Sequence, residues 1–596
     1  MRSIAIRVLR PLLPLTQRLK PVIRNEQLLL MLLAVLAGCL GGYCALGFRE
    51  ASSLLQWCFY GIGRESVIAH IHALPWWDVL LLPALGGLLV GLLNARFLDN
   101  RPPQGVAHII ECSMLHGAQV PLKRGLASAL GSAVSIGCGA SVGREGAVLH
   151  LASTLTSGLG RRFNLVQSDA HTVLACGVAA ALSASFNAPI AGVFFALEVV
   201  LRHYALGAFA PVVISSVIGT IITRAQYGNF PAYILPHYDL VTYWEFPALL
   251  LVGLLSGGVA MGFSASIFAI QDRFAAIPIP VFLKPALGGL IVGAIALVAP
   301  AVLGVGYETT NAALNQVLGL AALLLFCMLK ILATSVSVGS GFGGGVFSPS
   351  LYVGATLGGA CGLIGAGVFP HLGVHPGLYA IVGMAAVSAS MLGAPISTIL
   401  TVFELLGDFQ VTLAVMVATA VSSLLVQQVL GKSFYTWQLQ RRGVVIEGAR
   451  AAQLLRQRTV AELMTAPYQL IPADTKLGEL KLLLQCLPEG AEAMVIEDGA
   501  RFVGTVSRDD LKDVAFDPLV DESVQEAFYF TRTYPAVLPI RTTLEEGLRL
   551  MTLWDHDRLP VVRDEESMEA AGMIDRQSLV DAYNKALLQA EAERGL

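Results

Sequence analysis

Arg144 and Glu145 stand in a glycine-rich turn, Gly143-Arg144-Glu145-Gly146, with long apolar sequence on both sides. Residues 125–136 carry hardly a polar side chain, and residues 148–159 are nearly as apolar. An ionisable side chain at membrane depth is costly, and it marks an ion pathway or a proton relay. Glycines let backbone N–H groups approach a bound ion, and the helix that follows turns its positive end towards that ion. Glu145 is therefore the first functional candidate. On this stretch alone the alternative is a short extramembrane loop whose Arg144 and Glu145 are simply solvated.

The elements that would hold such a turn are membrane helices. The 596 residues are 55% hydrophobic and 14% charged, with a mean hydropathy of +0.67, which excludes an ordinary soluble enzyme and points to a polytopic membrane protein. Sixty glycines fit close helix packing in a membrane. The net charge of −3 and the lack of a basic stripe give no reason to expect nucleic acid. Nine cysteines form no CxxC pair, and Cys39, Cys44, Cys138, Cys176, Cys327 and Cys361 sit in apolar runs as small buried hydrophobes. No disulfide framework or metal site is expected. His108, Glu111 and His116 lack the HExxH spacing of a zinc motif.

In chain order, residues 1–25 are basic and interleaved with Ile, Val and Leu, as in an amphipathic segment on the cytoplasmic face. Apolar segments follow from residue 27 and then at about 78–97, 125–160, 172–202, 207–224, 246–270, 284–304, 317–336, 350–369 and 377–430. Several exceed one span and others are broken by Gly and Pro, so broken and paired helices describe them better. Residues 437–458 read as a polar linker. Residues 459–596 read as a soluble α/β region, with β-like runs at 493–496 and 559–562.

The membrane part repeats internally. Gly177, Pro189 and Glu198 recur as Gly383, Pro395 and Glu404, each at an offset of 206 positions. The opening turn has a counterpart at 339–349, at a slightly different offset. Two helix N-termini would then converge near the midplane with an anion between them, because such ends attract anions and repel cations.

Gly143-Arg144-Glu145-Gly146, Gly345-Val346-Phe347-Ser348-Pro349 and Tyr435, in this order and spacing, resemble the motifs of the CLC chloride channels and chloride–proton antiporters. The resemblance covers essentially the whole chain and points to a bacterial-type member. It implies an all-α polytopic membrane domain over 26–436, built from two inverted repeats of broken helices (about 26–235 and 240–436). A soluble α/β pair of CBS domains (about 459–516 and 525–585) would follow. It further implies a homodimer with one chloride pathway per subunit, in the cell membrane, with both termini cytoplasmic, and no enzymatic activity. Glu145 would be the gate, a carboxylate that mimics an anion and swings out when a proton binds. Backbone amides of Gly345, Val346 and Phe347 would hold the central anion. Tyr435 would close its inner side through its hydroxyl, and residues from Val142 and Gly143 through Arg144 and Gly146 would serve the outer sites.

Two positions depart from the family pattern. Gln104, followed by Gly105, stands where the family often has a serine beside the anion, so its amide would bear on anion selectivity among chloride, nitrate and fluoride. Val199 stands where proton-coupled members often carry an internal glutamate, and a valine holds no proton. The reading therefore leans to passive conduction, with chloride–proton exchange, or exchange of another anion, as the alternative. A CBS-regulated cation transporter would need Asp or Asn residues in its spans, and these spans have almost none. An intramembrane enzyme would need a nucleophile or second acid that is missing too. Glu198 and Glu404 read as structural carboxylates, and Lys330 as a buried partner for a carboxylate or carbonyl. In the tail, Ser507 and Asp510 resemble the element that binds adenine nucleotide in some CBS domains, while the second copy, Asp575 and Ser578, reverses the order. A purely dimerising module is the alternative, with helices at 479–484 and 544–551 as contact faces. No other cofactor is expected.

Overall fold

The structure is a computed structural model of the chain. It describes residues 26–61, 74–163, 165–202, 204, 206–229, 233, 245–370, 374–444, 455, 458–465, 469–487, 492–497, 499–512, 522–534, 537–554 and 556–592. The basic segment 1–25 and most of residues 445–458 lie outside them. The chain divides into two compact units, Met1–Val444 and Val445–Leu596.

The first unit is helical. Its first half comprises α1 (Glu26–Tyr60), α2 (Trp76–Phe97), α3 (Val106–Leu115), α4 (Leu122–Gly137), α5 (Glu145–Arg162), α6 (Gln167–Phe186), α7 (Pro189–Phe195) and α8 (Leu206–Tyr227). The second comprises α9 (Phe246–Ala276), α10 (Lys284–Val298), α11 (Tyr307–Leu314), α12 (Leu320–Ser340), α13 (Phe347–Val368), α14 (Pro376–Leu392), α15 (Pro395–Leu406) and α16 (Phe409–Leu430), closed by α17 (Phe434–Arg441). Among the described residues, nine helices are long and apolar enough to cross a membrane. The over-long segment 125–160 resolves into α4 and α5, broken at the glycine turn, and 377–430 into α14, α15 and α16. Exposed rows such as Leu81, Leu85, Leu89 and Leu92 recur at helical spacing, as a lipid-facing side requires.

Local sequence sets the breaks. Helix α6 ends on Asn187 and α14 on Gly393, both left-handed, and α7 and α15 each begin on a proline at the first position. These are corresponding positions of the repeat. Helices α6 and α14 are buried almost throughout, so each half wraps around one central helix. Their small residues permit the packing: a Cβ on Gly354 would fall 2.3 Å from the Gly383 carbonyl oxygen, and one on Gly383 would fall 2.5 Å from that of Gly354.

The halves are joined across the repeat by two carboxylates. Glu198 accepts from Ile396 N (3.0 Å), Ser397 N (2.9 Å) and the Ser397 hydroxyl (2.7 Å), at the start of α15. Glu404 accepts from Ile190 N and Ala191 N, both at 2.8 Å, at the start of α7. Each half thus caps a helix of the other, and both residues are structural, as their sequence context suggests. Lys330 is fully buried and donates to the Val302 (3.0 Å) and Gly304 (2.8 Å) carbonyls.

The second unit holds two similar modules. In one, β1 (Leu470–Pro472) pairs parallel with β2 (Glu492–Glu497), which pairs antiparallel with β3 (Arg501–Ser507), and α18 (Leu477–Gln485) lies between β1 and β2 in sequence. The other repeats this with β4 (Leu538–Pro539), α19 (Leu544–Trp554), β5 (Arg558–Val562) and β6 (Ala570–Asp575), followed by α20 (Arg576–Ala592). The helices proposed as contact faces each turn one apolar side inward. Leu480 and Leu484, and likewise Leu544 and Met551, point into their own module cores. The apolar residues that α18 and α19 leave exposed are Leu482, Leu553 and Trp554.

Candidate functional site

The two glycine turns meet. Gly143 N donates to the Gly345 carbonyl and Gly345 N to the Gly143 carbonyl, both at 2.7 Å, an isolated antiparallel bridge between the halves. Flanking bonds repeat the symmetry: Ser141 N donates to Ser337 Oγ of α12, and Gly343 N to Ser135 Oγ of α4, both at 3.0 Å. Close approach demands glycine here. A Cβ on Gly143 would lie 2.9 Å from Glu145 Oε2 and 3.1 Å from Ser348 N, and one on Gly344, at φ +144°, would lie 2.6 Å from Val142 Cβ.

This pairing corrects part of the expected anion site. The Val142 amide donates to the Ala140 carbonyl at 2.9 Å, and the amides of Gly143 and Gly345 are used by each other. None of the three presents its N–H to a ligand. The first turns of α5 and α13 remain, at Glu145 and Gly146 and at Phe347 and Ser348, with Val346 just ahead, where a helix has no internal acceptor for its N–H groups. The Phe347 ring itself is core, packed on Phe186 and Phe195 with centroids 5.1 and 6.1 Å away.

Glu145 is the first residue of α5, and its side chain is fully buried. Its Oε1 accepts a 2.8 Å hydrogen bond from the Tyr307 hydroxyl, and Arg144 Nε lies 3.9 Å from the same oxygen. Its Oε2 is buried without a protein hydrogen-bond partner. The Arg144 guanidinium lies 4.8 Å from the Tyr307 ring centre, and Tyr233 packs on the same ring at 5.1 Å. Arg144 thus braces the tyrosine that holds the carboxylate. Tyr307 lies 162 positions from Glu145 and in no recognisable motif, so nothing in the sequence points to it.

Cavities lie on both sides. One of about 210 Å³ is lined by Arg144, Tyr307, Tyr60, Gly304 and Glu308 among others; we call it the Tyr307 cavity. The other, also about 210 Å³, is lined by Gly105 and Val106 of the α3 start, Gly146 of α5, Gly345 and Val346 before α13, and Phe434 and Tyr435 of α17. Four helix N-termini therefore open on this Tyr435 cavity. Tyr435 is placed by its neighbour Phe434, which stacks on Phe268 at 5.3 Å, while Trp437 packs on the same ring at 4.7 Å. Glu145 separates the cavities, with Arg144 lining the first and Gly146 the second.

Gln104 does not take the expected role. Its side-chain amide donates to the Pro102 carbonyl (3.0 Å), its Oε1 accepts from Arg442 (3.0 Å), and its backbone N–H donates to Ser128 Oγ (3.1 Å). It does not line the Tyr435 cavity, and the α3 backbone at Gly105 and Val106 does instead. Arg442, which does line that cavity, is held by the same contact, with Glu111 3.9 Å away. Val199 is buried in the π-helical turn Ala196–Leu201 that continues α7. In the second unit, Asp510 accepts from Ser507 N (2.9 Å) and Oγ (2.6 Å) and from Arg532 (2.8 Å). Both carboxylate oxygens are thus engaged within the module.

Residues 86–427 match the family described as voltage gated chloride channel, and residues 524–585 match the CBS domain. A protein of Ralstonia nicotianae named as a ClcB-like chloride channel is 37% identical over 395 residues, spanning 65% of this chain and 91% of that protein. The crystal structure of a slow cyanobacterial chloride–proton antiporter aligns at 25% identity with a TM-score of 0.63, over 69% of this chain and 97% of that one. A eukaryotic CLC transporter shares the fold over 92% of this chain and 97% of that one, at 20% identity and a TM-score of 0.57. With two repeated halves of broken helices and a tail of two small-sheet modules behind them, this chain is a multi-pass membrane protein and belongs to the CLC voltage-gated chloride channel family.

Proposed function

We propose that this protein carries chloride, or a similar small anion, across the cell membrane along a pathway that Glu145 opens and closes, one pathway in each subunit of a homodimer. The supporting observation is the convergence of four helix N-termini on the cavity beside a buried carboxylate. Each N-terminus acts as about half a positive charge, so an anion is attracted and a cation repelled. The N–H groups of Val106 and Ala107, Glu145 and Gly146, and Val346, Phe347 and Ser348 are the donors on offer, with the Tyr435 hydroxyl at the cavity wall. Glu145, seated between the cavities, stands in for a passing anion. Protonation removes its charge, weakens its hold on Tyr307, and lets the side chain leave the path. With both termini cytoplasmic, the Tyr435 cavity faces the cytoplasm.

Val199 offers no internal proton site, which favours passive conduction. Coupled chloride–proton exchange, the activity for which the similar cyanobacterial structure is named, is the second reading. In the tail, the engaged Asp510 favours a dimerising role over adenine nucleotide binding at Ser507 and Asp510. The test is chloride flux in proteoliposomes across a pH series. Glu145→Gln and Glu145→Ala are expected to give flux that no longer varies with pH, and a pH dependence like the parent's would defeat the gate. A reversal potential measured under opposed chloride and proton gradients separates conduction from exchange.

A further inference from the structure

The arrangement that holds Glu145 occurs twice. In both copies an arginine and a glutamate are neighbours in sequence, Arg144-Glu145 at the start of α5 and Arg49-Glu50 within α1. In both, the guanidinium lies over a tyrosine ring. Arg144 is 4.8 Å from the Tyr307 ring centre, and Arg49 is 4.4 Å from that of Tyr227, the last residue of α8. In both, the tyrosine hydroxyl donates to the glutamate, Tyr307 to Glu145 Oε1 and Tyr227 to Glu50 Oε1. The two copies share one space, because Arg49, Glu50, Tyr227, Arg144 and Tyr307 all line the Tyr307 cavity.

The copies differ in depth. Glu145 is fully buried, whereas Glu50 is exposed, with Arg49 and Tyr227 half-buried. The apolar run of α1 closes at Phe48, about one hydrocarbon thickness from its start. Arg49 and Glu50 therefore stand where lipid gives way to water, at the end of the cavity that solvent reaches. A tie between α1 and α8 is a lesser use for them. Gly38 and Gly42 already seat α1 on α8, where a Cβ would fall 2.9 Å from the Ser215 carbonyl oxygen and 3.2 Å from Gly219 Cα. An exposed polar cluster adds little to such packing. The cavity wall carries two guanidiniums, Arg49 and Arg144, and two carboxylates, Glu50 and Glu308. With Glu50 seated these charges balance. With Glu50 swung out to water the wall is net positive, and Arg49 and the Tyr227 hydroxyl are offered to another anion.

We propose that Arg49 and Tyr227 form an outer anion seat in the Tyr307 cavity, which Glu50 fills as a tethered stand-in and a small monovalent anion takes when Glu50 leaves. The class of ligand follows from the seat. One guanidinium and one phenol hold one carboxylate there, so a chloride or formate ion meets the same charge and the same donors. The seat is a staging point on the way to Glu145, and Glu50 competes with the incoming ion for it. An ion arriving through the Tyr435 cavity reaches Glu145 without that competition.

This seat rests on the reading of Glu145 as a gate on an anion path, and a sided measurement separates the two. Full-length protein is reconstituted in one orientation, and chloride flux is followed while chloride is varied in each compartment separately. Glu50→Gln removes the competitor and is expected to lower the half-saturating chloride on the Tyr307 side by about threefold or more. Arg49→Gln is expected to raise it by a similar factor, and both variants should leave the Tyr435 side unchanged. Loss of a mere tie between α1 and α8 would move the two variants the same way. Glu50→Asp keeps the charge but falls short of the Tyr227 hydroxyl, so it should follow Glu50→Gln. Formate added on the Tyr307 side should compete with chloride, and less so in Arg49→Gln. An unchanged half-saturation in Glu50→Gln, or a Glu50→Asp that behaves like the parent, overturns the seat. If Glu145→Gln keeps the parent's pH dependence, the gate reading itself fails, whatever the Glu50 variants do.

Discussion

The Tyr307 hydroxyl donates a 2.8 Å hydrogen bond to Glu145 Oε1, joining the α11 start to the α5 start across the halves. A bond to a charged group contributes about 1.5–3 kcal/mol. Tyr307→Phe removes it from the seated, ionised carboxylate, so less acid is needed to free the side chain. Half-maximal chloride flux is expected at higher pH than in the parent. A flux profile that stays in place would show that Tyr307 does not hold the gate.

Gly143 touches Glu145 more closely than any side chain would allow. The Cβ of Gly143→Ala would press on Glu145 Oε2 at 2.9 Å, with Ser348 N and the Pro349 ring at 3.1 Å behind it. The flexible carboxylate is the group that yields. This variant is expected to conduct with a weakened pH response, approaching that of Glu145→Gln, in the same flux assay.

Selectivity gives a contrast. Because the Gln104 side chain is tied to Pro102 and Arg442, Gln104→Ala is expected to keep the chloride-to-nitrate flux ratio within about twofold, roughly 0.4 kcal/mol. A large change in that ratio would restore Gln104 to the anion site.

Glu198 and Glu404 act on stability and not on selectivity. Each satisfies two backbone N–H groups at a helix start, so Glu198→Gln or Glu404→Gln should cost about 1–2 kcal/mol. Thermal unfolding of the detergent-solubilised protein is expected to fall by a few degrees in each variant, with ion preference unchanged.

The tail should respond to alkali. Burial pushes the Tyr534 phenol above its ordinary value of 10.0, and the neighbouring Glu492, which accepts its proton at 2.7 Å, adds to the shift. Folded Tyr534 therefore stays neutral at a pH where the unfolded chain ionises. The stability it contributes is whole below about pH 10 and is lost as pH rises towards the folded value. Proteolysis of the tail in the intact protein should accelerate as pH rises above about 10, and Tyr534→Phe should flatten that rise.

Gly and Pro made much of this legible in the sequence. The Gly143 turn, its Gly345 counterpart and the Pro189 and Pro395 helix starts declared themselves, because only those residues permit such breaks. Glu145 followed from its cost in an apolar setting. Missed were the contacts that tertiary packing alone decides. Tyr307 reaches Glu145 from a distant helix. Gln104 turns to Arg442, and nothing in its neighbours foretells this. The paired glycine amides spend on each other the donors that a motif would assign to an anion. His108 drew notice only as a failed metal pattern, because its hydrogen-bond partner His150 lies 42 positions away.

The reciprocal caps also set a timetable for biosynthesis. Ile190 N waits for a carboxylate 214 positions downstream. At about 5–20 residues per second, the ribosome needs roughly ten to forty seconds to reach it. Through that interval the first half sits in the membrane with the start of α7 unfinished, and it cannot settle until its sequel arrives.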